Sequence, residues 1–86
     1  MIPERTLASL ERYVQDRVPP GGFLLAVLTN DLLGAVSRAD KENLAALPEI
    51  VSYVYHEIPG NCWGSKDAVW QWCEDRFYEK LGESNE

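Results

Sequence analysis

The chain has 86 residues, 45% of them hydrophobic and 26% charged, with a formal net charge of −6 and a pI of about 4.6. Such a short chain predicts a single domain with one compact core. The acidic balance argues against a protein that binds the phosphate backbone of a nucleic-acid duplex. The longest apolar run, Phe23–Leu28, is much shorter than the roughly 20 residues that cross a bilayer, and no basic-then-apolar leader opens the chain. We therefore expect no membrane association and a location in the cytosol.

Hydrophobic spacing predicts an all-α fold, a compact bundle of about four helices in residues 1–81, with a frayed polar tail at 82–86. The first helix should begin near Pro3 and end before Pro19-Pro20, because proline suits a first helical turn and stops a helix that reaches it. Its apolar side carries Leu7, Leu10, Tyr13 or Val14, and Val18.

The second helix is predicted from roughly Phe23 to Ala39 and, being apolar nearly all round in its first turns, should be the central element. Gly34 inside it costs helix stability, so we expect it to allow a neighbouring helix to approach closely. The expected core side chains of this helix are Phe23, Leu24, Val27, Leu28, Leu32, Ala35 and Val36.

Asp40 is placed to cap a third helix, from Lys41 to about Glu57, which we expect to be kinked near Pro48 rather than broken in two. Its apolar stripe comprises Leu44, Leu47, Val51, Val54 and Ile58. Ser65 should cap the fourth helix, whose core side would carry Val69, Trp70, Cys73, Phe77 and Leu81. From the two apolar stripes we predict that Leu28, Leu32, Leu47, Val51 and Val54 are buried.

No catalytic, cofactor or metal signature stands out, so we expect no enzyme, no cofactor and no metal. Cys62, Cys73 and the single His56 are too few for a four-ligand zinc site, and two buried thiols and a surface or capping histidine are the simpler interpretation. Gly21-Gly22 precede a helix as the glycines of a phosphate loop do, but the lysine and hydroxyl of that motif are missing.

Binding residues are better candidates than catalytic ones. Trp63 lies in a glycine-bounded loop, where it either plugs the end of the bundle or anchors a partner. Trp72 lies off the predicted core stripe of the fourth helix, which makes it the best candidate for an exposed or interfacial aromatic residue. Asn30, Asp31 and Arg38 form a narrow polar strip on the second helix. The aromatic surplus near the fourth helix favours a homo-oligomer, a dimer in the first instance.

Several short motifs occur in a fixed order along the chain. Taken together they resemble a group of small uncharacterised proteins encoded by tailed phages, prophages and plasmids of bacteria. The resemblance extends from about Ile2 to Trp72, and the acidic segment beyond it to Leu81 is longer than the pattern requires. The motifs are Gly21-Gly22-Phe23-Leu24, Asn30-Asp31-Leu32, Arg38-Ala39-Asp40, Asn43–Leu47, Ile50-Val51 with Tyr53 and Tyr55, and Cys62-Trp63-Gly64-Ser65.

The resemblance implies an origin on a mobile element, without an activity. Small accessory proteins of phages commonly bind a host component, so the first hypothesis is stoichiometric binding to a host protein in counter-defence or host regulation. The second is an oligomer that sequesters a signalling nucleotide, with Trp63 or Tyr55 stacking on the base and Arg38 and the Gly21-Gly22 amides holding phosphate. A small enzyme is the third.

Overall fold

The computed structural model describes residues 1–74, and all regular structure in that part of the chain is helical, which confirms the all-α class. A 3₁₀ turn, Gly60–Cys62, follows the fifth helix, and the sixth helix, α6, occupies residues 66–74. The predicted end of the last helix, its core residues Phe77 and Leu81, and the tail lie outside the described residues. The preceding helices are α1 (Glu4–Asp16), α2 (Gly22–Leu28), α3 (Leu32–Arg38), α4 (Lys41–Ala45) and α5 (Leu47–Glu57).

Helix α1 begins directly after Pro3 and ends at Arg17, as the proline signals predict. Arg17 adopts the left-handed conformation, with φ 58°, and its N–H donates to the Tyr13 carbonyl at 3.0 Å. Leu10 and Tyr13 are fully buried, and Thr6 beside them is buried because its hydroxyl donates to Asn43 Oδ1 at 2.6 Å. This hydrogen bond joins α1 to α4.

The prediction of one helix from Phe23 to Ala39 is wrong, because the chain turns between α2 and α3. Asn30 takes φ 64°, a left-handed conformation that asparagine tolerates better than most residues. Asp31 then caps α3 by accepting the Gly34 N–H at 3.0 Å. The turn rotates α3 away from the core, so Ala35 is buried while Leu32 and Val36, both predicted in the core, are exposed.

Two glycines in this region make room for an arginine side chain. A Cβ built on Gly34 would collide with the side chains of Asp31 and Arg38, so this glycine accommodates those side chains and not a neighbouring helix as predicted. A Cβ on Gly22 would lie 3.2 Å from Arg38 Cδ. The Arg38 side chain therefore runs over the backbone of both α2 and α3.

Instead of one helix kinked at Pro48, the chain forms two helices joined at Ala46, with Pro48 in the first turn of α5. Asp40 caps α4 as predicted, accepting the Asn43 N–H at 2.8 Å. The break moves the buried stripe by one residue, while Val54 and Ile58 remain buried as predicted. In place of Leu44, Leu47 and Val51, the buried positions are Asn43, Ala46 and Ile50.

One apolar cluster holds these helices together. Ser65 caps α6 as predicted, accepting the Ala68 N–H at 3.1 Å, and it brings Val69 into the cluster. Trp70, which we predicted to be buried, is 69% exposed, whereas Trp72 packs against the cluster. The cluster consists of Leu10, Tyr13, Leu24, Leu28, Ala46, Ile50, Val54, Ile58, Cys62 and Val69.

Candidate functional site

The Cys62-Trp63-Gly64-Ser65 segment, here called the CWGS loop, is a structural junction. The Cys62 carbonyl accepts a hydrogen bond from the buried Tyr13 hydroxyl at 2.6 Å. The Gly64 N–H donates to the Leu28 carbonyl at 2.7 Å, with Gly64 at φ +112°, which only glycine adopts without strain. Since Ser65 caps α6, this loop ties α1, α2 and α6 together.

Trp63 is half-buried against the core cluster, and its indole N–H donates to the Ile58 carbonyl at 3.1 Å. Its ring centroid lies 5.9 Å from that of Tyr55, which is exposed. This placement favours the plug over the anchor, although one edge of Trp63 still lines a surface recess described below.

Burial favours the neutral forms of the ionisable groups at the junction. It is the main cause that raises the pKa of the Tyr13 hydroxyl well above its usual range, so Tyr13 acts as a neutral donor. Burial also raises the pKa of the Cys62 thiol, which lowers its thiolate fraction at neutral pH. These shifts suit a packed junction better than a reactive centre.

Two of the predicted binding residues, Trp72 and Gly21, line neither of the two recesses described below. Trp72 donates its indole N–H to the Tyr13 carbonyl at 2.8 Å, and the Arg17 guanidinium carbon lies 4.1 Å from its ring centroid, a cation–π arrangement. Gly21 is exposed just before α2 and lines neither of the recesses described next.

The first recess, here called the apolar pocket, has a volume of about 240 Å³ and lies between α2, α3 and α5. Asn30 and Asp31 stand at its edge, and Tyr55 and Trp63 contribute aromatic walls. Its aliphatic lining is formed by Ala26, Val27, Leu32, Ala35, Leu47, Val51 and Val54.

The second recess, here called the α2–α6 groove, has a volume of about 700 Å³. Lys66, Val69, Trp70 and Cys73 line it from α6 at the spacing of one helix face. Among the described residues, the apolar lining from the rest of the chain is Pro19, Leu25 and Ala26, and the charged lining consists of two cations, Arg38 and Lys66, and two carboxylates, Asp31 and Asp67.

The two recesses adjoin, because Ala26 and Asp31 line both of them. Six of the eight predicted binding residues fall here: Gly22, Asp31 and Arg38 in the groove, and Asn30, Asp31, Tyr55 and Trp63 in the pocket. Lys66 and Trp70, which also line the groove, were not predicted as binding residues. Their i, i+4 spacing was a usable signal, but Trp70 also fitted the predicted core stripe.

His56 lies exposed on α5, and its Nδ1 is 2.9 Å from the Ser52 carbonyl. Within residues 1–74 no group of His, Cys, Asp and Glu side chains is arranged to hold a metal ion. No helix in that same range is long and apolar enough to cross a membrane.

Comparison with known protein families, curated proteins and solved structures gives no match to this chain. The resemblance to small phage-encoded proteins therefore stays a prediction, and the geometry of the two recesses carries the functional argument.

Proposed function

We propose that this protein acts by stoichiometric binding to a protein of the bacterial host, and that the α2–α6 groove receives a segment of that partner. The observation that carries the proposal is an exposed tryptophan, Trp70, beside an apolar floor with charges of both signs around it. Tryptophan and arginine are the side chains that most often dominate protein–protein binding energy. The provenance implied by the sequence motifs supplies the host and the counter-defence or regulatory setting.

The charge of the groove supports a polypeptide over a nucleotide. A phosphate entering it would meet Asp31 and Asp67 as well as Arg38 and Lys66. A polypeptide segment can instead present its own carboxylates to the two cations and its own cations or amides to the two carboxylates.

Arg38 is positioned for such contacts by the glycines beneath it. Because its side chain lies over Gly22 and Gly34, part of its conformational freedom is already lost before a partner binds. An arginine that is ordered in advance loses less entropy on forming a bidentate contact with a carboxylate.

A second candidate, nucleotide sequestration, is favoured by one observation, the convergence of Gly22, Arg38, Lys66 and Trp70 on a single groove. From the sequence we predicted that the nucleobase would stack on Trp63 or Tyr55. Those rings line the apolar pocket, so the stacking residue of this candidate becomes Trp70.

The test is affinity capture from bacterial lysate, with mass spectrometry for both proteins and nucleotides, followed by titration of the purified partner. Trp70→Ala should weaken the partner's affinity about thirtyfold or more, as expected for an aromatic anchor. Gly22→Ala should weaken it less, by displacing Arg38, while Gly21→Ala is the matched control because a Cβ there meets nothing within 4 Å.

Three outcomes would contradict the proposal. A partner whose affinity is unchanged by Trp70→Ala binds elsewhere on the protein. Recovery of a nucleotide, with affinity lost in Trp70→Ala, supports the second candidate instead. Turnover of a substrate at catalytic concentrations of the protein would replace binding with enzymatic activity.

A further inference from the structure

A second surface, distinct from the α2–α6 groove, exposes apolar side chains, of which Leu32, Val36 and Val51 were predicted to lie in the core. On α3, at about 100° per residue, Ala35, Leu32, Val36 and Leu33 follow one another around the helix in that order. Ala35 is buried and the other three are exposed, Leu33 to 81%. Val51 and Tyr55, one turn apart on α5, are exposed on the opposite wall of the apolar pocket. We call Leu32, Leu33, Val36, Val51 and Tyr55 the α3–α5 face.

We propose that the α3–α5 face binds a second copy of this chain and forms a two-fold symmetric dimer. A two-fold interface uses the same patch on both subunits, so a recess in that patch is filled by a group that belongs to the same patch on the partner. The α3–α5 face has both, namely the apolar pocket of about 240 Å³ and Leu33, which is 81% exposed and directly follows the pocket-lining Leu32 in α3. A cavity of roughly 150 Å³ already holds a benzene-sized group, so the pocket has room for a leucine side chain.

The distribution of charge favours a second copy at this face. Two chains of net charge −6 repel each other, and they can approach only where carboxylates are not brought together. Of the charged residues in the described part of the chain, Asp31 alone lines the apolar pocket. The acidic residues of α5, Glu49 and Glu57, line a different depression with Ser52 and His56, on another side of the helix.

The size of the face sets the expected strength of the dimer. An interface of standard size buries about 800 Å² on each partner, whereas these five side chains can form only the centre of such an interface. We therefore expect a weak, reversible dimer that assembles in the micromolar range. The sequence pattern favours a dimer through the aromatic residues of the fourth helix, and this proposal moves the interface to α3 and α5.

Sedimentation velocity across a concentration series tests the proposal. The wild-type protein should shift from monomer to dimer, and Val51→Asp should raise the dissociation constant about tenfold or more. Leu44→Asp is the matched control, because Leu44 and Val51 are each 46% exposed, the charge change is the same, and Leu44 does not line the pocket. Leu33→Asp is the second variant, because Leu33 is 81% exposed and its replacement should leave the fold intact.

Circular dichroism of each variant establishes that it is folded. A wild-type protein that is monomeric up to high micromolar concentration would overturn the proposal. So would an equal effect of Leu44→Asp and Val51→Asp, which would trace dimer loss to added charge alone. A dimer that is intact in Leu33→Asp and Val51→Asp but lost in Trp70→Ala would place the interface in the α2–α6 groove.

Discussion

The CWGS loop and the α3–α5 face differ in the environment of their residues: those of the loop are hydrogen-bonded and packed, whereas those of the face are exposed to solvent. In the loop, Cys62 and Gly64 hydrogen bond across the chain to Tyr13 and Leu28, and Trp63 packs against the core. On the face, aliphatic side chains from a regular helical pattern are left in contact with solvent. The comparison shows that an aromatic loop can be part of the fold while side chains of a regular apolar stripe are exposed to solvent.

The largest expected effect separates two neighbouring residues of α5. Ile50→Ala should lower the free energy of unfolding by about 2–5 kcal/mol, because Ile50 is fully buried and its truncation leaves a cavity. Val51→Ala should cost less than about 1 kcal/mol, since Val51 is half exposed. Urea unfolding measures both at a protein concentration where the chain is monomeric. Equal losses would mean that Val51 belongs to the core and would remove the α3–α5 face.

Tyr13→Phe examines the hydrogen bond that joins α1 to the CWGS loop. Without the hydroxyl, the Cys62 carbonyl loses its donor at a buried position, and we expect a loss of about 1–3 kcal/mol. Tyr55→Phe removes the same hydroxyl from an exposed side chain and should change the free energy of unfolding by less than about 0.5 kcal/mol. Similar urea midpoints for the two variants would show that the junction adds little stability.

Gly64→Ala examines the backbone of the loop. At φ +112° a side chain is strained, so the substitution should cost about 1–2 kcal/mol although space is available for a Cβ. Gly60→Ala, in the 3₁₀ turn, meets no atom within 4 Å and has no positive φ, so thermal unfolding should place it close to the wild type. A destabilised Gly60→Ala beside an unchanged Gly64→Ala would reverse this assignment.

The smallest expected effect is a pH dependence of the free energy of unfolding, caused by the carboxyl of Asp40, which caps α4. The Asn43 N–H, and then the Arg5 guanidinium at 2.6 Å, hold the pKa of the Asp40 carboxyl below its ordinary value of 3.8. A carboxyl whose pKa is lowered by folding stabilises the protein above its unfolded pKa, and this contribution is lost as pH falls through the folded pKa. Asp40→Asn keeps a capping side chain without the charge.

Urea unfolding from about pH 6 to about pH 3 should therefore show a smaller acid-induced loss of stability in Asp40→Asn than in the wild type. Identical pH profiles would mean that this carboxyl contributes nothing to acid sensitivity.

The starts of three helices were the most predictable part of the fold, because they depend on residues within one turn. Pro3, Asp40 and Ser65 start their helices as their residue types predict. The break at Asn30 was not predicted, and a break near Pro48 was considered but rejected in favour of a kink, because a helical pattern continues through both places. A break changes the direction in which the side chains of the following helix point. In α4 and the first turn of α5 the buried positions are therefore shifted by one residue from the predicted stripe.

The hydrogen bond between Thr6 and Asn43 shows why the burial of Asn43 in place of Leu44 could not be predicted from the sequence. A polar residue is buried there only because its partner, 37 residues away, supplies the hydrogen bond. The α2–α6 groove depends on the same kind of long-range arrangement. Gly22 and Arg38 could be identified as candidates from their types, but their convergence with Lys66 and Trp70 follows from packing.

Replacing Trp63 and Trp70 in turn tests most directly whether the CWGS loop stabilises the fold while the tryptophan of the α2–α6 groove does not. Urea unfolding of Trp63→Ala should show a loss of about 3 kcal/mol, since this indole packs on the core and donates to Ile58. Trp70→Ala should remain within about 0.5–1 kcal/mol of the wild type, since its ring is largely exposed. A stable Trp63→Ala together with a strongly destabilised Trp70→Ala would contradict the account, because it would make the groove tryptophan structural and the loop tryptophan dispensable for folding.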